Sequence, residues 1–404
     1  MLHDFLNRRL STGRLQVTYG DGRVETYGDG TGPEIAVRLT RRGERRLLVN
    51  PGRGLGEAYM DGDLVVTRGS FWDLLDTVGR NRGETPPSAS LLARILRSVR
   101  LRLDQHNDRA AARRHVHHHY DLSLELYQRF LDADLQYSCA YFARPDMTLE
   151  EAQAAKKAHL AAKLDLRAGH KVLDIGCGWG GLALELAARH PVEVTGVTLS
   201  QEQLATAHAR ARAAGLERVA RFDLRDYRDV SGPFDRIVSV GMLEHVGAPH
   251  LGDYFAQVAR LLSDDGVAVI HAIGSHNSPG LTQPFIRKYI FPGGHIPSLS
   301  EVTAAVERTG LWIADVEIWR LHYAETLRHW RLRFEAQRQA IAALYDERFC
   351  RMWEVYLGYS ELAFRHLNCM VFQLQLIKRV DALPITRDYI HEAEKMQPPA
   401  RLRA

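Results

Sequence analysis

KVLDIGCGWGG, residues 171–181, decides the fold. An apolar run ends at Asp174, and Gly176, Gly178, Gly180 and Gly181 then let the backbone turn tightly beside a ligand. Working outward, LALELAARH (182–190) has the spacing of a helix, VEVTGVTLS (192–200) that of a second strand, and QEQLATAHARARAAG (201–215) that of a helix ended by Gly215. RVARFDLRDY, FDRIVSVGMLEHV and GVAVIHAIG supply further strands. Strands alternating with helices predict an α/β fold with a doubly wound, mainly parallel Rossmann-like sheet.

A glycine turn alone is shared with dinucleotide sites. Here the spacing departs from GxGxxG and an acid precedes the first glycine. Asp-x-Gly-x-Gly after the first strand resembles motif I of class I methyltransferases, which implies S-adenosylmethionine as cofactor, with Asp174, Gly176 and Gly178 near its methionine part. The next strand ends at VTLSQEQ (197–203), where Thr198 and Gln203 can hydrogen-bond a ribose or methionine group. Asp226 and Tyr227, after the third strand, offer an acceptor and an aromatic face for adenine.

Outside this core, residues 14–69 turn often, with Tyr-Gly-Asp-Gly at 19–22 and Gly-Asp-Gly at 28–30 between short β-prone runs. They predict a small β-rich N-terminal domain at 1–82. A linker follows, and then LLARILRSVRLRL (91–103), with apolar residues at helical spacing and arginines between them. The segment reads as a connecting helix packed on the protein, or as an interfacial helix with arginines near lipid headgroups. Residues 115–395 form the expected catalytic domain, with 325–379 mostly helical.

The 404 residues carry a net charge of only +4, and no apolar run has the length of a membrane span. Four cysteines without CxxC spacing fit neither a disulfide scaffold nor a zinc ribbon, and the N-terminus has no secretory h-region, so the expected location is cytoplasmic. His115, His117, His118 and His119 crowd one segment, but no acid or Cys pattern completes a metal site.

Seven ordered blocks carry a more specific resemblance: HYDLSLELYQRFLD (119–132), LQYSCAYF (135–142), VLDIGCGWGGLALELA (172–187), VTGVTLSQEQ (194–203), SVGMLEHVG (239–247), IRKYIFPGGHIPS (286–298) and AFRHLN (363–368). They resemble the cyclopropane-fatty-acyl-phospholipid synthases and the mycolic acid cyclopropane synthases. GLGEAYMDGDL (54–64) is similar to the extra domain of the phospholipid-acting members. The resemblance implies transfer of a methylene group to the double bond of an unsaturated phospholipid acyl chain, with a bound bicarbonate as base. It places the bicarbonate cradle at Cys139, Glu244, His271, Ile273 (through its backbone amide) and Tyr323, and adds Tyr137 and Ser138 to the cofactor contacts. Tyr141, Phe142, Tyr289 and Phe291 could face a carbocation or fill the core. Ser360 stands where some members carry a cysteine. The implied partners are lipid and an anionic membrane surface approached peripherally, not nucleic acid, with a homodimer as a family expectation. Methyl- or methylene-branching of lipids, small-molecule methylation and noncatalytic lipid binding are the rival readings.

Overall fold

The computed structural model describes residues 1–81, 122–277 and 283–396. The segment 91–103, the clustered histidines and His119 to Asp121 lie outside the described residues. The chain divides into two compact units, one within Met1–Arg100, Leu281–Pro292 and Leu327–Asn368, the other within Leu101–Gly280, Gly293–Thr326 and Cys369–Ala404. The first therefore takes in two stretches from the region assigned by sequence to the catalytic domain.

The first unit holds β1 (Arg14–Thr18), β2 (Val24–Tyr27), β3 (Glu34–Leu39) and β4 (Leu64–Arg68) in the order β2-β1-β3-β4. The four strands bear out the small N-terminal β domain, while two helices, Arg41–Val49 and Pro51–Met60, lie between β3 and β4 in a segment whose sequence looks β-prone and turn-rich. Local caps decide this. The Thr40 side chain accepts from the Gly43 amide and that of Asn50 from the Arg53 amide, and Pro51 stands in the first turn, where its missing N–H costs nothing. Helices Phe71–Arg80 and Glu347–His366 complete the core, in which Leu75, Ile35, Phe285 and Val355 are fully buried.

The second unit contains a seven-stranded sheet: β5 (Lys171–Ile175), β6 (Glu193–Thr198), β7 (Ala220–Leu224), β8 (Phe234–Val240), β9 (Leu262–Ser275), β10 (Trp312–Trp319) and β11 (Cys369–Ile377). Its order is β10-β11-β9-β8-β5-β6-β7. β5 to β9 run parallel, whereas β11 lies antiparallel to both β9 and β10. The sequence reading placed 369–379 with the appended helices. The run CMVFQLQLI is instead a strand buried on both faces, and its Gln373 and Gln375 masked the continuous apolar pattern expected of one. From β5 the chain winds first toward β7 and then back to β8, so the crevice at the carboxyl ends of β5 and β8 is the topological switch point. Tyr254, Phe255 and Val258 seal one face of this sheet, and Leu160, Leu182 and Val194 belong to the cluster on the other.

Candidate active site

The strand ends of the second unit carry the sequence-predicted cofactor residues. β5 delivers Asp174, which is 2% exposed, and burial pushes its carboxyl up to about 7. Its Oδ2 has no hydrogen-bond partner among the described residues. The chain then reverses through Gly176, Gly178 and Gly180, all at positive φ, while the Gly176 and Cys177 amides bond the Val197 carbonyl at 3.0 Å. A Cβ at Gly178 would meet nothing within 4 Å, so the loop faces open space there. The glycines thus border room for a ligand, with a buried acceptor oxygen beneath, and this fits the ammonium and sulfonium end of S-adenosylmethionine.

At the end of β6 the Thr198 hydroxyl donates to Gln203 Oε1 at 2.7 Å, which fixes the glutamine and leaves its amide hydrogens to bind. Asp226, expected from sequence as an acceptor for adenine, is already held by a neighbouring side chain. Arg228 grips both its oxygens, at 2.8 Å through Nε and 2.6 Å through a terminal nitrogen. The Tyr227 ring packs edge-on against Tyr254, and burial raises its hydroxyl to about 12.

A second group of residues gathers around the segment 136–142. Tyr137 packs edge-on against Tyr127 at 5.3 Å, and Tyr127 in turn lies 4.8 Å from Trp179 of the glycine turn. Ser138 and Cys139 are buried, and burial drives the Cys139 thiol far up, so it is no thiolate. The Ala140 amide donates to Thr326 Oγ1 at 3.0 Å and the Phe142 amide to His322 Nδ1 at 3.1 Å. These bonds staple the segment to the first turn of the helix His322–Ala336, which carries the buried Tyr323. Tyr141 stacks on His159, Trp319 and His322, so its ring is a packing element. Tyr289 and Phe291 belong to the first unit, where the Tyr289 hydroxyl donates to Glu57 at 2.9 Å.

Beyond β8, Glu244 sits in the short turn Leu243–His245. Its Oε1 accepts the Ile273 amide at 2.6 Å, its Oε2 is buried with no partner among the described residues, and burial pushes its pKa up to about 7. The Ile273 amide, expected from the resemblance to serve an anion, is thus engaged by Glu244. His271 on β9 lies opposite Gln373 on β11, with Gln373 Nε2 3.0 Å from Nδ1. Burial holds this imidazole far below its usual pKa, so it is neutral, and with Nδ1 accepting, its hydrogen sits on Nε2. A buried carboxyl in the turn after β8 and a neutral imidazole on the adjoining strand β9 are polar groups that can meet a small polar ligand.

Sequence reasoning missed Gln373, Thr326 and Lys156. Lys156 is 1% exposed on the helix Leu149–Lys163, and its Nζ donates to Gln136 Oε1 at 2.6 Å and Ser138 Oγ at 2.8 Å. Its signal was a lysine in register with Leu149, Ala152 and Leu160, on the buried stripe of that helix. Among the described residues no cluster of His, Cys, Asp and Glu is arranged to hold a metal, and all four cysteines are free.

A glycine turn after β5, a buried acid before it and polar groups at the next strand ends, all on this sheet, define a class I S-adenosylmethionine-dependent methyltransferase. Residues 107–374 match the mycolic acid cyclopropane synthetase family, and the chain belongs to that family. Residues 1–87 match a domain of unknown function. The chain is 39% identical over 337 residues to the cyclopropane-fatty-acyl-phospholipid synthase of Escherichia coli strain K12, covering 83% of this chain and 86% of that one. It is also 39% identical over 390 residues to the tuberculostearic acid methyltransferase UfaA1 of Mycobacterium tuberculosis, covering 90% and 88%. The crystal structure of the mycolic acid cyclopropane synthase CmaA1 complexed with SAH and CTAB matches with a TM-score of 0.62 at 34% identity, covering 65% of this chain and 97% of that one.

Proposed function

We propose that this methyltransferase adds a one-carbon unit to the double bond of an unsaturated acyl chain in a membrane phospholipid and closes it to a cyclopropane, with bicarbonate as base. The observation that carries the reading is that neighbouring strands β8 and β9 bring two buried polar groups to one end of the sheet: the Glu244 carboxyl, whose Oε2 has no partner among the described residues, and the neutral imidazole of His271, which lies in register with Val240. S-adenosylmethionine supplies an electrophilic methyl group. An isolated alkene is a weak nucleophile, so the protein must hold it in line and exclude water from the cation that forms. Bicarbonate would supply the base that removes a proton from the added methyl. Glu244 would accept its O–H, and His271 and Tyr323 would donate to its oxygens. Cys139, a buried neutral thiol, would contribute close packing there and no charge. Asp174, Tyr137, Ser138, Thr198, Gln203, Asp226 and Tyr227 form the cofactor side, with Arg228 setting the acceptor geometry of Asp226.

No helix among the described residues is long and apolar enough to cross a membrane. Access to lipid is assigned to peripheral docking on an anionic surface, a reading supported by the arginines set among apolar residues in the sequence 91–103, with 1–82 as the lipid-interaction domain and 115–395 as the catalytic part. The second reading, methyl- or methylene-branching, is favoured by the equal identity to a tuberculostearic acid methyltransferase over a longer span. Incubating the protein with labelled S-adenosylmethionine, bicarbonate and monounsaturated phosphatidylglycerol vesicles tests both. Proton NMR of the product chain separates a ring methylene from an exocyclic alkene or a methyl branch. Absence of any labelled chain overturns the lipid reading.

A further inference from the structure

Lys156 stands apart from the other buried lysines of its helix. Lys157 pairs with Asp134 at 2.6 Å and Lys163 with Glu317 at 2.5 Å. Lys156 has no ion pair among the described residues and rests on two neutral oxygens, Gln136 Oε1 and Ser138 Oγ. Burying an ammonium whose direct partners are neutral is costly, since the carboxylates of Asp132 and Asp134 act on it only from beyond ion-pair distance, and the cost is recovered when an anion arrives. Gln136 is fixed independently, since its Nε2 donates to Asp134 Oδ2 at 2.9 Å and its amide to Asp132 Oδ1 at 2.9 Å. The ammonium can only donate, so Ser138 Oγ is the acceptor of that pair and its own hydrogen points elsewhere. The charge of Lys156 also reaches Asp174, which marks it as a neighbour of the glycine turn.

We propose that Lys156 is the positioning cation of the amino-acid subsite: it holds Ser138 so that the serine hydroxyl donates to the carboxylate of the bound S-adenosylmethionine, and its charge balances that carboxylate. This rests on the assignment of the glycine turn as the cofactor site. Asp174, with its free Oδ2, takes the ammonium of the same amino-acid group. Burial lowers Lys156 to about 8, so it is mainly charged at neutral pH, and a bound carboxylate raises it again.

Calorimetric titration of the full chain with S-adenosylhomocysteine and with 5′-methylthioadenosine, which lacks the amino-acid group, tests the assignment. In Lys156→Met the affinity for S-adenosylhomocysteine falls about tenfold or more while that for 5′-methylthioadenosine is unchanged. Ser138→Ala, which leaves the helix intact, shifts the same ratio in the same direction. In the wild type the affinity for S-adenosylhomocysteine falls more steeply above about pH 8 than in Lys156→Met, because only the wild type must recharge its lysine. Equal loss of both ligands reduces Lys156 to a structural peg and overturns the proposal, as does unchanged S-adenosylhomocysteine binding in both variants. Failure of the wild type to bind either ligand overturns the cofactor site itself.

Discussion

Glu244 accepts the backbone hydrogen of Ile273 at 2.6 Å through Oε1, while its Oε2 is buried and bonded to nothing among the described residues. One oxygen ties the turn after β8 to the end of β9, and the other is available to a ligand. The carboxyl keeps its proton up to about 7, against 4.5 for an ordinary glutamate, because burial disfavours the charge.

That shift has a stability consequence. Between about pH 4.5 and 7 the folded protein holds a proton at Glu244 that the unfolded chain has released. This contribution is therefore full at low pH and is lost as pH rises through about 7. Glu244→Gln keeps the acceptor for Ile273 and cannot ionise. Its melting temperature should match the wild type at pH 5 and exceed it at pH 8, by the equivalent of about 1–3 kcal/mol. Scanning calorimetry at the two pH values decides it, and a difference independent of pH would refute the buried-charge account. Ring formation by the same variant should be impaired.

His271 and Gln373 give a second prediction. Burial holds the imidazole well below its usual range, so its ring carbon resonances in NMR spectra of the labelled protein should show no titration around pH 6.5. A midpoint near 6.5 would contradict the arrangement. Gln373→Leu leaves Nδ1 without its donor and frees the tautomer, and turnover should drop about tenfold with little change in cofactor affinity.

The β5–loop–helix unit was legible because a continuous apolar run, a left-handed glycine turn and an apolar helix face are each local signals. The same holds for the two-sided burial of β8 and β9. β11 was not, because two glutamines interrupt its apolar run, and both are justified only by distant partners: Gln373 by His271, and Gln375 by the Lys163 carbonyl. The helices between β3 and β4 were lost to turn-like composition, their caps at Thr40 and Asn50 outweighing the β-prone look of the segment. Cys139, Glu244, His271, Ile273 and Tyr323 were named from sequence by resemblance and Thr198, Gln203, Asp226 and Tyr227 from their places at strand ends, whereas Lys156, Thr326 and Gln373 bond their partners from other elements, 18, 186 and 102 residues away in the chain. The engagement of Asp226 by Arg228, only two residues on, was open to a reading of the sequence and was passed over.

Thr326 is fully buried and serves two bonds at once. It accepts from the Ala140 amide at 3.0 Å and donates to the His322 carbonyl at 2.8 Å. Thr326→Val preserves shape and removes the acceptor, leaving a buried amide unpaired beside Cys139. A loss of about 1–3 kcal/mol of stability is expected in urea unfolding. Thr326→Ser restores the acceptor and should recover most of it. Equal losses in the two variants would point to packing of the methyl group instead.

Gly178 and Gly181 test the cofactor loop from its two sides. At Gly178, φ is +54 and an added Cβ meets nothing within 4 Å. Alanine there costs only about 1–2 kcal/mol of left-handed backbone strain, and its methyl enters the space assigned to the ligand. At Gly181 an added Cβ lies 2.4 Å from Gln136 Nε2 and 2.7 Å from Asp134 Oδ2. It therefore pushes on the residues that hold Lys156 and Lys157. Gly178→Ala should lose no more stability than that strain, about 1–2 kcal/mol, yet lose S-adenosylhomocysteine affinity about tenfold or more. Gly181→Ala should lose stability as well, by about 1–3 kcal/mol of overpacking. Thermal melts alongside ligand titration separate the two. If Gly178→Ala binds S-adenosylhomocysteine as the wild type does, the open face of the loop is not where the cofactor lies.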